Sequence, residues 1–180
     1  MPAAALQLVV VMGASGCGKS TVGAALAELL GVEFLEGDAL HAPRNVERMA
    51  AGVALTDGDR RDWLLALAQR LAMARDARRG LVVSCSALKR SYRDVLRSAM
   101  PALAFVHLHA DAALLEARLR ARVDHFMPAS LLTSQLRDLE APGPDERAIM
   151  LDAALPPATL AARTAAWLNH PTAATAAHPS

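Results

Sequence analysis

Aromatic residues are scarce, at 3% of the 180-residue chain, while alanine is abundant. That balance disfavours a β-sandwich and favours helices laid over a sheet. Only two cysteines occur, Cys17 and Cys85. Two thiols make neither a disulfide framework nor a zinc ligand set, and they fit reduced side chains in a cytosolic protein. Neither sign of charge dominates: 19 Lys and Arg meet 18 Asp and Glu, for a net charge of +1. The strongly basic surface that grips nucleic acid is therefore missing, and any anion selectivity must be local. No apolar run reaches the roughly 18–20 residues that span a bilayer. Met1 to Leu8 also lacks the basic flank and cleavage site of a signal peptide. The expectation is a soluble, cytoplasmic protein without nucleic-acid or membrane partners. Its 53% apolar content suffices for the core of one α/β domain over residues 1–169.

What is present is an alternation of strands and helices. Leu6 to Met12, rich in valine and ended by Gly13, reads as a strand buried on both faces. Val22, Leu26, Leu29 and Leu30 recur at helical spacing over Lys19 to Leu30, and Gly31 stops that helix. Val32 to Leu35 is a second strand, followed by a flexible turn at Glu36-Gly37-Asp38. A short helix spans Arg44 to Ala51, and Asp57 is expected to cap a longer one to about Arg78. Leu81 to Ser84, Leu103 to Leu108 and Ala148 to Leu151 read as three further strands. Helices are expected over Leu88 to Ser98, from Asp111 to about Arg122, from Ala129 to Leu139 and over Ala158 to Asn169. Residues 170–180 have little to bury and read as a disordered tail. The pattern predicts a three-layer α/β fold: a five-stranded parallel sheet with helices on both faces and ligands at the carboxyl ends of the strands.

Gly13-Ala14-Ser15-Gly16-Cys17-Gly18-Lys19-Ser20 matches G-x-x-x-x-G-K-[ST], and it sits between a strand and a helix as that phosphate loop requires. Its glycines let backbone N–H groups turn around phosphate oxygens, with Thr21 completing the cradle at the positive end of the helix. Lys19 would reach the β and γ phosphates of ATP, and Ser20 would place its hydroxyl on Mg²⁺. The spacing is not the G-x-G-x-x-G of dinucleotide folds. Neither a D-x-x-G step nor an N-K-x-D guanine reader accompanies it, so a GTPase is unsupported.

A kinase needs an acid to orient the acceptor hydroxyl and cations to compensate the transferred charge. Asp38, ending the second strand beside the loop, is the candidate acid, with His41 as a second polar contact. A turn or helix-capping aspartate is the competing reading of Asp38. Arg118 and Arg122 share a helix face ahead of a charged loop, and either would approach ATP if a lid closed over about 122–130; Arg120 points elsewhere. Arg122 is the candidate for stabilising the transferred charge. A plain charged helix is the competing reading for any one of these arginines. The third strand ends Ser84-Cys85-Ser86, without the aspartate many phosphate-loop enzymes carry there. Asp38 is therefore expected to help hold Mg²⁺ together with Ser20.

Several blocks together are similar to the gluconate kinase family. They are the phosphate loop, Gly37-Asp38-Ala39-Leu40-His41, Asn45-Val46-Glu47-Arg48-Met49 and Gly52 through Arg60. They continue through Trp63-Leu64, Cys85-Ser86-Ala87-Leu88-Lys89-Arg90-Ser91-Tyr92-Arg93-Asp94, His125-Phe126-Met127 and Ser134-Gln135-Leu136. The match covers most of residues 6–155. The resemblance implies a P-loop kinase fold with a mobile lid and transfer of the ATP γ phosphate to the 6-hydroxyl of D-gluconate. It also implies a homodimer. On that reading Arg60, Lys89 or Arg93 would clamp the gluconate carboxylate, His41, Ser86 and His125 would contact the substrate, and Asp38 would orient its hydroxyl. The solvated face of an amphipathic helix is the competing reading for Lys89, Arg90 and Arg93. Other acceptors, such as shikimate or a nucleoside monophosphate, would suit the loop alone. An ATP-binding regulatory switch without transfer is the alternative outside enzymes.

Overall fold

The computed structural model describes residues 6–122 and 128–170. Five strands form one parallel sheet in the order β2-β3-β1-β4-β5. They are β1 Leu8–Met12, β2 Glu33–Glu36, β3 Leu81–Ser84, β4 Ala104–His109 and β5 Ala148–Asp152. β1 lies at the centre and is buried along its whole length, which is why its sequence is a continuous apolar run and not an alternating one. Its side chains divide between two cores. Val10 and Met12 pack with Trp63, Leu67, Leu71 and Phe105 on one face; Val9 and Val11 pack with Val22, Leu26, Leu115 and Leu160 on the other.

The helices are α1 Lys19–Leu30, α2 Pro43–Ala50, α3 Asp57–Asp76, α4 Arg90–Arg97, α5 Ala112–Ala121, α6 Ala129–Asp138 and α7 Pro157–Asn169. The expected three-layer architecture is present. Gly31 ends α1 in the left-handed conformation, at φ 67°, as its position after the last apolar residue predicts.

Three differences from expectation have a clear physical reason. Thr56, not Asp57, caps α3: its hydroxyl accepts from the Asp59 N–H while the Asp59 carboxylate accepts from the Thr56 N–H. This capping box frees the Asp57 carboxylate for other partners. The segment after β2 is not a loose turn but a 3₁₀ turn over Gly37–Leu40. α4 starts at Arg90 instead of Leu88, because Ala87 adopts a left-handed φ of 42° and Leu88 is buried as core. The expected tail lies, from residue 171, outside the described residues.

Candidate active site

The phosphate loop leaves the centre of the sheet between β1 and α1. Gly16 and Gly18 have φ of 88° and 97°, a region where a Cβ is strained, so glycine at both positions shapes the cradle. The Lys19 ammonium donates to the Ala14 carbonyl at 3.2 Å, curled over the loop it would serve. Ser20 is exposed on the first turn of α1. Among the described residues no group of three acids, histidines or cysteines could hold a metal by itself. The exposed Ser20 hydroxyl, at the mouth of the loop, is an oxygen ligand of the kind Mg²⁺ takes.

Beside the loop, at the ends of β2 and β3, the side chains of Asp38, His41 and Arg60 gather. Gly37 packs so tightly on β3 that a Cβ there would lie 2.0 Å from the Ser84 carbonyl oxygen. The Ser84 hydroxyl donates to the Glu36 carboxylate and accepts from the Gly37 N–H at 3.2 Å. These contacts fix the turn that presents Asp38. Its carboxylate is 69% exposed, free to meet a ligand. His41 Nε2 sits 4.0 Å from Asp38 Oδ1, and the imidazole stacks on Trp63 with centroids 4.1 Å apart. The Trp63 indole N–H donates to the Gly37 carbonyl at 2.8 Å, so one core tryptophan holds both the turn and the histidine. Burial, opposed by Asp38 and reinforced by Arg60, lowers the His41 pKa and keeps the ring neutral, able to accept or donate to a hydroxyl.

Arg60 joins this cluster from the first turn of α3. It is only 8% exposed, its Nε has no partner, and its guanidinium lies 5.8 Å from the centre of the Tyr92 ring. The Cys85 thiol between these groups is pushed up to about 12 by burial, and it feels Asp38, Lys19 and Arg60 at once. Charges from the 3₁₀ turn, α1 and α3 thus meet near the end of β3. Lys89 is engaged: its ammonium donates to Asp57 at 2.9 Å, and that bond raises its pKa. Tyr92 donates to the same carboxylate, and burial and that hydrogen bond push its hydroxyl up to about 12. Ser86 is half-buried, and its carbonyl accepts from the Gly13 N–H at 3.3 Å, joining the wall to the phosphate loop.

Arg93 corrects the expectation that it clamps substrate. It is 0% exposed; Nε and Nη2 donate to Glu146 at 2.7 and 2.9 Å. Nη1 donates to the carbonyls of Ala87, Leu88 and Glu140. All three guanidinium nitrogens are paired within the protein, so Arg93 is an internal strut that holds the strained Ala87 turn. Burial alone would raise the Glu146 pKa, but hydrogen bonds from Arg93, the Gly143 N–H and Arg97 hold it at about 2. The spacing of Arg93 on a helix gave no hint of this partner, 53 residues away. Asp57, Tyr92 and Glu146 were missed for the same reason: their roles depend on contacts between distant segments.

On the other side of the loop, a cavity of about 320 Å³ is lined by Gly16, Gly18, Thr21, Arg118, Arg122 and Pro157, among others. Arg118 donates to the Ala153 carbonyl at 2.7 Å and lies 3.4 Å from that of Cys17. Arg120 points away and pairs with Glu116 at 3.0 Å, as expected. Arg122 is the last described residue before the gap. His125 and the centre of the expected lid lie outside the described residues.

A phosphate loop with a carboxylate and a basic pocket set opposite it, on a five-stranded parallel sheet, defines a P-loop kinase for a small acceptor. The sequence model of a family described as an AAA domain matches residues 8–142. A gluconokinase of Gluconobacter oxydans is 52% identical over 143 residues, covering 79% of this chain and 80% of that one. The thermoresistant gluconokinase of Escherichia coli is 45% identical over 146 residues, covering 81% and 83%. The crystal structure of a gluconokinase from Sinorhizobium meliloti superposes with a TM-score of 0.82 at 50% identity, covering 90% and 91% of the two chains. The chain belongs to the gluconokinase family.

Proposed function

We propose that the protein transfers the γ phosphate of ATP to the 6-hydroxyl of D-gluconate, giving 6-phosphogluconate and ADP. The observation that carries this reading is the convergence of Lys19, Asp38, His41 and Arg60 at the buried end of β3, with the Arg60 Nε unpartnered. A buried guanidinium with an unused donor suits an acid, and gluconate is an acid with hydroxyls for His41 and Ser86 to bond. Lys89, already paired with Asp57, would be the outer cation of the same wall.

The residues divide the work. Backbone amides of residues 13–21 and the Lys19 ammonium hold the donor phosphates. Arg118, and Arg122 as the catalytic cation, face them from the cavity side. Asp38 orients the acceptor hydroxyl and takes its proton as the new P–O bond forms. Ser20 and Asp38 would hold Mg²⁺, which when bound would supply neutralisation of the phosphate charge. His125 and a lid over about 122–130 complete this proposal, as does the reading of residues 1–169 as one domain of a cytoplasmic homodimer without nucleic-acid or membrane partners. The near-neutral charge supports the absence of nucleic acid. Among the described residues no helix is long and apolar enough to cross a membrane.

Purified protein with MgATP and a panel of gluconate, shikimate and nucleoside monophosphates tests this reading. ADP formation should require gluconate and yield 6-phosphogluconate; ADP formation indifferent to gluconate overturns it. Asp38→Asn should lower turnover about 10²–10⁴-fold while the KM for ATP stays within about threefold.

A further inference from the structure

Gln135 lies on α6, 120 residues from the phosphate loop in sequence, yet its side-chain carbonyl accepts a hydrogen bond from the backbone N–H of Ser15 at 2.7 Å. This fixes the third residue of the donor loop from a distant helix. Packing alone does not demand the contact: Leu131 and Leu132 are buried and Leu136 rests on the core, so the apolar face already seats α6. Just past the C-terminal end of α6, Glu140 grips the acceptor wall. Its carboxylate accepts from the Arg90 N–H at 2.6 Å and its N–H donates to the Leu88 carbonyl at 2.8 Å. Its own carbonyl accepts from Arg93 at 2.9 Å. Six residues, 135–140, therefore touch both half-sites.

We propose that Gln135 is a positioning residue that couples acceptor binding to nucleotide binding, by holding the Ser15 amide from a segment whose far end is bonded to the acceptor wall. The proposal rests on gluconate being the acceptor. An acid held by Arg60 and Lys89 steadies the neighbouring Ala87–Arg93 segment, whose carbonyls Glu140 and Arg93 hold, and through it the placement of α6. A seated α6 keeps the Ser15 amide fixed, so the loop loses less freedom when it closes around phosphate. A neutral carboxamide suits the task, because a carboxylate at the same place would hold the amide but repel the phosphates. Linkage makes the effect reciprocal: ATP would tighten gluconate by the same factor.

The test is the dissociation constant of the magnesium complex of a non-hydrolysable ATP analogue, measured by calorimetry with and without saturating gluconate. Wild-type protein should bind the analogue about fivefold or more tightly with gluconate present. Gln135→Met, which keeps length and volume but removes the acceptor atom, should bring that ratio to within about twofold of one, with the ligand-free Tm within about 2 °C of wild type. Gln135→Glu keeps the acceptor atom and should keep the ratio while weakening the analogue in both conditions. A wild-type ratio retained in Gln135→Met overturns the proposal, and so does a ratio lost equally in Gln135→Glu. Wild-type protein that fails to bind gluconate at all overturns the acceptor assignment and the coupling with it.

Discussion

Two arginines, one on α3 and one on α4, are both buried. Arg93 spends its donors on Glu146 and three carbonyls, while Arg60, 8% exposed, leaves its Nε without a partner. Both are far from water, so burial does not distinguish them. Saturation does: a guanidinium the fold needs for itself is fully paired, and one held for a ligand carries a deficit that the ligand fills. The difference also separates a loss of stability from a loss of binding when each is removed.

The largest effect should come from Arg93→Met. It leaves the buried Glu146 carboxylate to Arg97 and the Gly143 N–H alone, and removing one partner of a buried pair costs up to about 3–5 kcal/mol. Urea denaturation should show this as a lower midpoint with an unchanged slope. The gluconate KM of the remaining folded protein should stay within about threefold of wild type; a KM that rose with stability intact would return Arg93 to the substrate site. Arg60→Met should do the reverse. Loss of a charge-assisted hydrogen bond, about 1.5–3 kcal/mol, raises the gluconate KM about 10- to 150-fold, and the urea midpoint should hardly move.

His107 is the residue that would break the comparison. It is 2% exposed on β4 with both ring nitrogens unpartnered, so a deficit alone would make it a ligand group. An imidazole, unlike a guanidinium, avoids burying a charge by staying neutral. Burial, then His109 and Arg93, push its pKa down to about 4 from 6.5. Below pH 6.5 the unfolded chain binds this proton and the folded one does not. The stability contributed by the neutral ring is thus full above about 6.5 and lost as pH falls through about 4, up to about 3 kcal/mol. His107→Phe should flatten the urea midpoint against pH in that window and leave the gluconate KM unchanged. A raised KM would place His107 among the substrate contacts.

The donor half of the site was legible because its chemistry is local. A phosphate loop is contiguous, so Gly13 through Thr21 declare their arrangement by spacing alone, as do the valine run of β1 and the Gly31 stop. Asp38 and His41 were legible because both follow directly on a strand. The acceptor wall was legible only in part, because its cations are sorted by partners elsewhere in the chain. Nothing around Arg93 reveals Glu146, and nothing around Lys89 reveals that capping by Thr56 frees Asp57 to pair with it. The late start of α4 was hidden for a similar reason, since the positive φ of Ala87 is imposed by the carbonyls that Arg93 gathers.

The Arg93–Glu146 pair spans 53 residues, and that span has a consequence for the ribosome. Synthesis at about 5–20 residues per second puts Glu146 about 3–10 s behind Arg93. The phosphate loop and its helix have long since left the exit tunnel by then. During that interval the nascent chain carries a nucleotide cradle whose acceptor wall has no strut, and β4 waits beside it as an open edge until β5 arrives. Competence for transfer is therefore among the last properties the growing chain acquires.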